Sequence, residues 1–232
     1  MNKKLAVGLI VAFLVLMGVL SLRVVNKPDN AATFRGSSVV GVIEINGVLG
    51  GEAASVLAGS SADSSRIMKA IRTAAKRPDI KAVVVRINSP GGTAAAAQEI
   101  GIELDKLRKT GKPVVTSMGD VCASGGYWIA CNTDYIVANG TTLTGSIGAI
   151  METTNLQGLY EKLGIKQEVF KSGEHKDIGS PAREITSQER EILQAVVSDS
   201  YTQFLNRVKQ GRKGKIDPRE LEDIADGRVF TG

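Results

Sequence analysis

KAVVVRINSPGGTAAAAQEIGIELDKLRKTGKPVVTSMGDVCASGGYWIAC, residues 81–131, decides the architecture of this chain. Ala82–Ile87 is a short β-branched and apolar run, the pattern of a buried strand. Asn88-Ser89-Pro90-Gly91-Gly92 then turns the chain, because Pro90 fixes φ and the two glycines admit positive φ. An alanine-rich helix is expected over residues 93–109, and Gly111-Lys112-Pro113 breaks it. The same succession follows once more. A strand is expected at Val114–Met118, a turn at 119–123 and a helix over about 124–131. Strand, turn and helix twice over indicate an α/β fold with largely parallel strands.

Working outward, Val39–Ile45 reads as another buried strand. Residues 47–61 (GVLGGEAASVLAGSS) are small and mildly apolar, a loop that could line a cleft or serve only as a flexible connection. Asp63 is placed to N-cap a helix running to about Arg77, with Ile67, Ala70, Ile71 and Ala74 on one face and Pro78 as its stop. Downstream, short strands are expected at Asp134–Ala138, Thr142–Ile150 and Gln167–Phe170, and a helix at 155–163. Thr186 and Glu189 form a capping box for a long helix to about Lys209, and Asp217 starts one more.

A chain of 232 residues fits one globular domain with an appendage. Its aromatic content of 4% argues against a base-stacking nucleic-acid surface. The net charge of +5 points the same way once it is located. Lys3, Lys4 and Arg23 flank the uncharged run Leu5–Leu22, and the remainder carries 26 basic against 24 acidic residues. As a helix this run would be about 27 Å long, close to the bilayer core thickness. It reads as an uncleaved anchor, or else as the core of a cleaved signal peptide. Lys3 and Lys4 favour a cytoplasmic N-terminus, which would put everything after residue 23 outside the cytoplasm. The expected organisation is therefore an anchor at 1–23, a tether at 24–37 and a globular domain at 38–232. Cys122 and Cys131 are expected to be buried thiols, since a turn and a helix between them would hold the Cα atoms beyond the reach of a disulfide.

No zinc, EF-hand, dinucleotide or P-loop pattern is present. His175 is the only histidine, and it sits in a polar Lys-Ser-Gly-Glu-His-Lys-Asp stretch where a solvated loop residue is expected. A general base of another type is then required, and a lysine can serve when its neutral form is favoured. Ser124 lies where a strand turns sharply into a helix. There a serine is either a helix N-cap or a nucleophile beside free N–H groups.

Asn-Ser-Pro-Gly-Gly at 88–92, Ser-Gly-Gly-Tyr at 124–127, Thr-Gly-Ser-Ile-Gly at 144–148 and Lys-Ser-Gly-x-x-Lys-Asp at 171–177 occur in that order. Together they resemble the bacterial signal peptide peptidase A family, membrane-anchored Ser/Lys proteases of peptidase family S49. The resemblance implies the Clp-protease/crotonase fold of repeated β-β-α units with an N-terminal transmembrane helix. It implies that Ser124 is the nucleophile, Lys176 the base, Ser146 the residue orienting that lysine, and the N–H groups of Gly91 and Gly125 the oxyanion hole. Lys171 competes with Lys176 for the role of base. Asp177 would keep a neighbouring lysine charged unless its carboxylate points away. No metal or other cofactor is implied. The implied substrates are released signal peptides and other apolar peptides. The implied setting is a ring-shaped homo-oligomer, an octamer, at the cell membrane, with the nucleophile of one protomer meeting the lysine of its neighbour. Family chains continue past Arg228-Val229-Phe230-Thr231-Gly232 with a further helix and strand, so a C-terminal truncation is expected here. Two other readings share this fold: a crotonase-like acyl-CoA enzyme and a non-catalytic membrane scaffold.

Overall fold

The computed structural model describes residues 38–50 and 61–232. The expected anchor, the tether and residues 51–60 of the expected loop lie outside the described residues. Among the described residues no helix is long and apolar enough to cross a membrane.

The chain order is β1 (Val39–Asn46), β2 (Val48–Gly50), β3 (Ser61–Asp63), α1 (Ser64–Lys76), β4 (Ile80–Ser89), α2 (Ala94–Arg108), β5 (Val114–Ala123), α3 (Gly125–Ala130), β6 (Tyr135–Val137), β7 (Leu143–Gly145), α4 (Gln157–Leu163), α5 (Ser187–Gly211), α6 (Pro218–Ile224) and β8 (Val229–Thr231). The main sheet runs β1-β4-β5-β7-β8, with β6 also paired to β5. Its pairs are parallel except β7 with β8. β2 and β3 form a separate parallel pair. This mixed α/β architecture around a parallel sheet fits the Clp-protease-like fold.

The helices form where the sequence supplies caps and an apolar face. Asp63 accepts hydrogen bonds from the backbone N–H groups of Ser65 and Arg66 and opens α1, whose Ile67, Ile71 and Ala74 are buried. Ala70, expected on that face, is exposed. Thr93 caps α2, and Ala97, Ile100, Leu104 and Leu107 pack from it against Val83, Val85 and Ile87 of β4 in one core. The capping box of Thr186 and Glu189 is present and opens α5. Phe204 of α5 stacks on Trp128 of α3 with ring centroids 5.0 Å apart.

Four expectations are corrected. Among the described residues β1 is an edge strand, buried on one side only: Ile43 and Ile45 are buried, while Val40 and Val42 on alternate positions are 60% and 63% exposed. Residues 119–123 do not form a turn but continue β5. The ladder with β4 is irregular between Ile87 and Ser89, where Val121 N–H donates to the Asn88 side chain (3.1 Å), and pairing resumes at Ser89 and Cys122. The strand expected at Thr142–Ile150 is confined to Leu143–Gly145, since positive φ at Gly145 and Ser146 ends the extended run. Gln167–Phe170 forms no strand; it pairs with no neighbour among the described residues, and Phe170 is 92% exposed. Within the expected loop at 47–61, residues 48–50 are the strand β2. Cys122 and Cys131 are buried free thiols, as expected.

Candidate active site

Three chain segments meet at the C-terminal ends of β4, β5 and β7. β5 pairs with β7 so that Ala123 lies opposite Gly145. The next residue on each strand is a serine, so Ser124 and Ser146 are neighbours across the ladder. Both have φ of +51° and are the only described non-glycine residues with positive φ. The Ser124 N–H donates to the Gly145 carbonyl (2.9 Å), and the Ser146 N–H donates to the Arg228 carbonyl at the start of β8 (2.8 Å). Strain of this kind costs on the order of 1–3 kcal/mol per residue and collects where function requires it.

Ser124 occupies the N-cap place of α3, yet its side chain makes no capping hydrogen bond. A capping serine adopts extended φ/ψ, whereas Ser124 has φ 51° and ψ −121°. The bland explanation for a serine at this turn therefore fails. Its hydroxyl belongs to a sharp strand-to-helix turn.

The third segment is the turn after β4. Ser89 pairs with Cys122 in the ladder, which carries Pro90-Gly91-Gly92 to the side of Ser124. The fit there requires glycine. A Cβ on Gly91 (φ +101°) would lie 2.7 Å from the Gly125 nitrogen and 2.8 Å from the Ser124 Cβ. A Cβ on Gly92 (φ +153°) would lie 2.0 Å from the Leu49 carbonyl oxygen. Leu49 of β2 brackets this turn: its N–H donates to the Gly91 carbonyl (2.7 Å) and its carbonyl accepts from the Thr93 N–H (3.0 Å). The Gly91 N–H donates to the Oγ of the fully buried Ser89 (3.1 Å), so that amide is already engaged. A cavity of about 230 Å³ opens beside Ser124, lined on its apolar side by Trp128, Ile150, Met151, Val196 and Phe204.

Lys176 is not part of this assembly. It is exposed, on the segment after α4, and neither lines the cavity nor hydrogen-bonds a described residue through its amine. The competing Lys171 is engaged elsewhere: its Nζ donates to Asp177 Oδ1 and to the Glu174 carbonyl, both at 2.7 Å. Asp177 also receives two bonds from Arg183, at 2.9 and 3.0 Å. The Arg183 and Lys171 cations hold its carboxyl well below the usual carboxylate range. Its charge is thus committed away from Lys176. His175 is half-buried, and its Nδ1 has no partner among the described residues.

Sequence reasoning missed Leu49, Ser89 and Arg183. Ser89 was legible as the polar residue before Pro90. Arg183 was legible as the cation six residues after Asp177 and six before Glu189.

Residues 106–232 match peptidase family S49. The protein slr0021 of Synechocystis sp., named as a candidate protease, is 43% identical over 173 residues, covering 75% of this chain and 61% of its own. A protein of Enterococcus faecium, named as a candidate signal peptide peptidase SppA, is 39% identical over 66% of this chain and 44% of its own length. Protease 4 of Salmonella typhi is 36% identical over 83% of this chain and 30% of its own. The chain thus spans less than two thirds of these relatives. With more than half of its length matched, the chain belongs to peptidase family S49.

Proposed function

We propose that this chain is a serine endopeptidase acting on apolar peptides, with Ser124 as nucleophile and Lys176 as general base. The observation that carries the reading is the conformation of Ser124: strained, free of capping duty and set beside Ser146, which has the same positive φ. In the first step Ser124 Oγ attacks the scissile carbonyl, and the neutral amine of Lys176 takes the hydroxyl proton. Lys176 then returns that proton to the departing amine, leaving an acyl-enzyme. Water releases the acyl group by the same route in reverse. The N–H of Gly125, first in α3, stands against the glycine turn and is the donor for the developing oxyanion, with the Gly91 turn as its second wall. Ser146 orients the lysine. The cavity lined by Trp128, Ile150, Met151, Val196 and Phe204 suits an apolar side chain. An Enterococcus faecium relative named for signal peptides supports released signal peptides as the substrate class.

The base arrives from a second copy of the chain. Arg183 ties the Lys176 segment to Glu189 in the first turn of α5, while Val196, Ser200 and Phe204, further along α5, line the cavity at Ser124. From Glu189 to Val196, the first residue of α5 to line the cavity, the helix rises roughly 10 Å, which sets the two groups apart within one protomer. A head-to-tail ring solves this geometry, because each interface joins two different surfaces. The run Leu5–Leu22 would anchor such a ring to the membrane, with the catalytic domain on the extracytoplasmic side.

The test mixes two inactive variants, Ser124→Ala and Lys176→Ala, after dissociation and reassembly. Activity should return at about one site in four, the chance meeting of an intact serine with an intact lysine. No return of activity, with mixed assemblies confirmed by mass spectrometry, places both residues in one chain. Mapping of a fluorophosphonate adduct to any residue but Ser124 removes the nucleophile assignment itself.

A further inference from the structure

We infer that Arg183 is a positioning residue for the base: its guanidinium grips Asp177 and Glu189 together, fixing the turn that carries Lys176 to the start of α5 and keeping the Asp177 carboxylate off the Lys176 amine. The inference rests on the Ser124/Lys176 reading above and adds to it a residue that never touches substrate.

The geometry is a double fork. Arg183 Nε and Nη2 donate to Asp177 Oδ2 and Oδ1 at 3.0 and 2.9 Å. Nη1 and Nη2 donate to Glu189 Oε2 and Oε1 at 2.8 and 2.5 Å. Two bidentate contacts on one guanidinium define both distance and angle, which a lysine in the same place cannot do. Glu189 is a firm anchor. It is 2% exposed and also accepts from the Thr186 N–H as half of the capping box. Lys176 itself sits in tight turns: its N–H donates to the Gly173 carbonyl, and the Ser180 N–H donates to the Asp177 carbonyl. A hold on Asp177 is therefore a hold on its neighbour.

The charges around this turn explain why the grip matters. On the segment itself, Lys171 is paired with Asp177, Glu174 is exposed and His175 is half-buried. On the segment packed against it, Glu189 is committed to Arg183, while Glu184 and Arg190 are exposed. Asp177 is thus the carboxylate closest to Lys176 in sequence, and Arg183 is the larger part of what neutralises it. Without Arg183, Lys171 still holds Asp177 Oδ1, but Oδ2 loses its donor and is open to the ammonium of Lys176, stabilising the protonated form, which cannot accept a proton from Ser124.

The experiment measures kcat/KM against pH for the full chain on an apolar peptide. Arg183→Gln should lower neutral-pH activity tenfold or more and move the acid limb upward by about one pH unit, the shift expected of an uncovered neighbouring carboxylate. Adding Asp177→Asn should return the limb to its original position. Arg183→Lys keeps a second cation on Asp177 beside Lys171 but cannot span both carboxylates, so it should lose rate without moving the limb. This variant also tests the inference if Arg183→Gln does not fold. A limb that stays in place in Arg183→Gln, or one that moves equally in Arg183→Lys, overturns the inference. Failure of the underlying reading looks different: Lys176→Met would then retain activity, whatever Arg183 variants do.

Discussion

Replacing Gly91 with alanine tests the active-site geometry, because Gly111 supplies an internal control. Both glycines have positive φ, +101° and +85°. A Cβ on Gly111 would meet nothing within 4 Å, so Gly111→Ala isolates the conformational penalty, about 1–2 kcal/mol. At Gly91 the same methyl would lie 2.7 Å from the Gly125 nitrogen, 2.8 Å from the Ser124 Cβ and 3.0 Å from the Ala123 carbonyl oxygen. Two of these are backbone atoms and the third is the root of the proposed nucleophile, so none can swing aside. Overpacking of this kind adds about 1–3 kcal/mol. The total for Gly91→Ala is then about 2–5 kcal/mol, measured by urea unfolding. The catalytic effect should be disproportionate. Displacing the Gly125 N–H from the oxyanion position costs on the order of 10²–10³ in kcat. Gly111→Ala should keep nearly full activity despite its loss of stability. If Gly91→Ala is no less stable than Gly111→Ala and turns over peptide at a similar rate, the proposed contact between the glycine turn and Ser124 is wrong.

Three further outcomes are expected. Arg183 depresses the carboxyls of Asp177 and Glu189, the latter to about 2, so their contribution to stability is complete above about pH 5 and is lost as pH falls toward 2. Arg183→Met should flatten the loss of unfolding midpoint between pH 6 and pH 3, and an unchanged slope would contradict the ion network. Burial pushes the Cys122 thiol up to about 12 and raises Cys131 as well, so both should resist a thiol reagent until the protein unfolds; rapid stoichiometric reaction of the native protein would refute their burial. Phe204→Ala removes a ring that is 3% exposed and stacked on Trp128, and should cost about 3–5 kcal/mol with a change in Trp128 fluorescence; a loss under 1 kcal/mol would show that α5 does not help to support α3.

The residues differ in how much of this they announce. Asp63 and the Thr186–Glu189 box act on backbone groups two or three positions away, so their helices are legible in the sequence alone. Val39–Asn46 reads as a strand, but nothing local distinguishes an edge from a centre. That depends on which strands pair, and β1 has one partner in the main sheet among the described residues. Gly119-Asp120 looks like a turn because both residues favour one; the Asn88 side chain, more than 30 positions away, absorbs the irregularity inside a strand. Gln167–Phe170 has strand-like composition without a partner. At the site, Ser124 and the glycine turn were visible as local backbone devices. The adjacency of Ser124 and Ser146 was not, since it arises from the β5–β7 register.

Those two serines also bear on how the sequence can drift. Glycine would adopt φ of +51° at either position without steric strain, at an entropic cost of about 0.5–1 kcal/mol, whereas each serine costs the fold on the order of 1–3 kcal/mol. Mutation toward glycine at 124 or 146 is therefore a downhill step for stability, and selection for some other property must oppose it. A lineage released from that selection should lose these serines early and become more stable as it does. If the two hydroxyls act as proposed, their retention among relatives is a more sensitive record of continued activity than retention of the fold, because a buried core tolerates neutral exchange while a strained serine has no structural reason to persist.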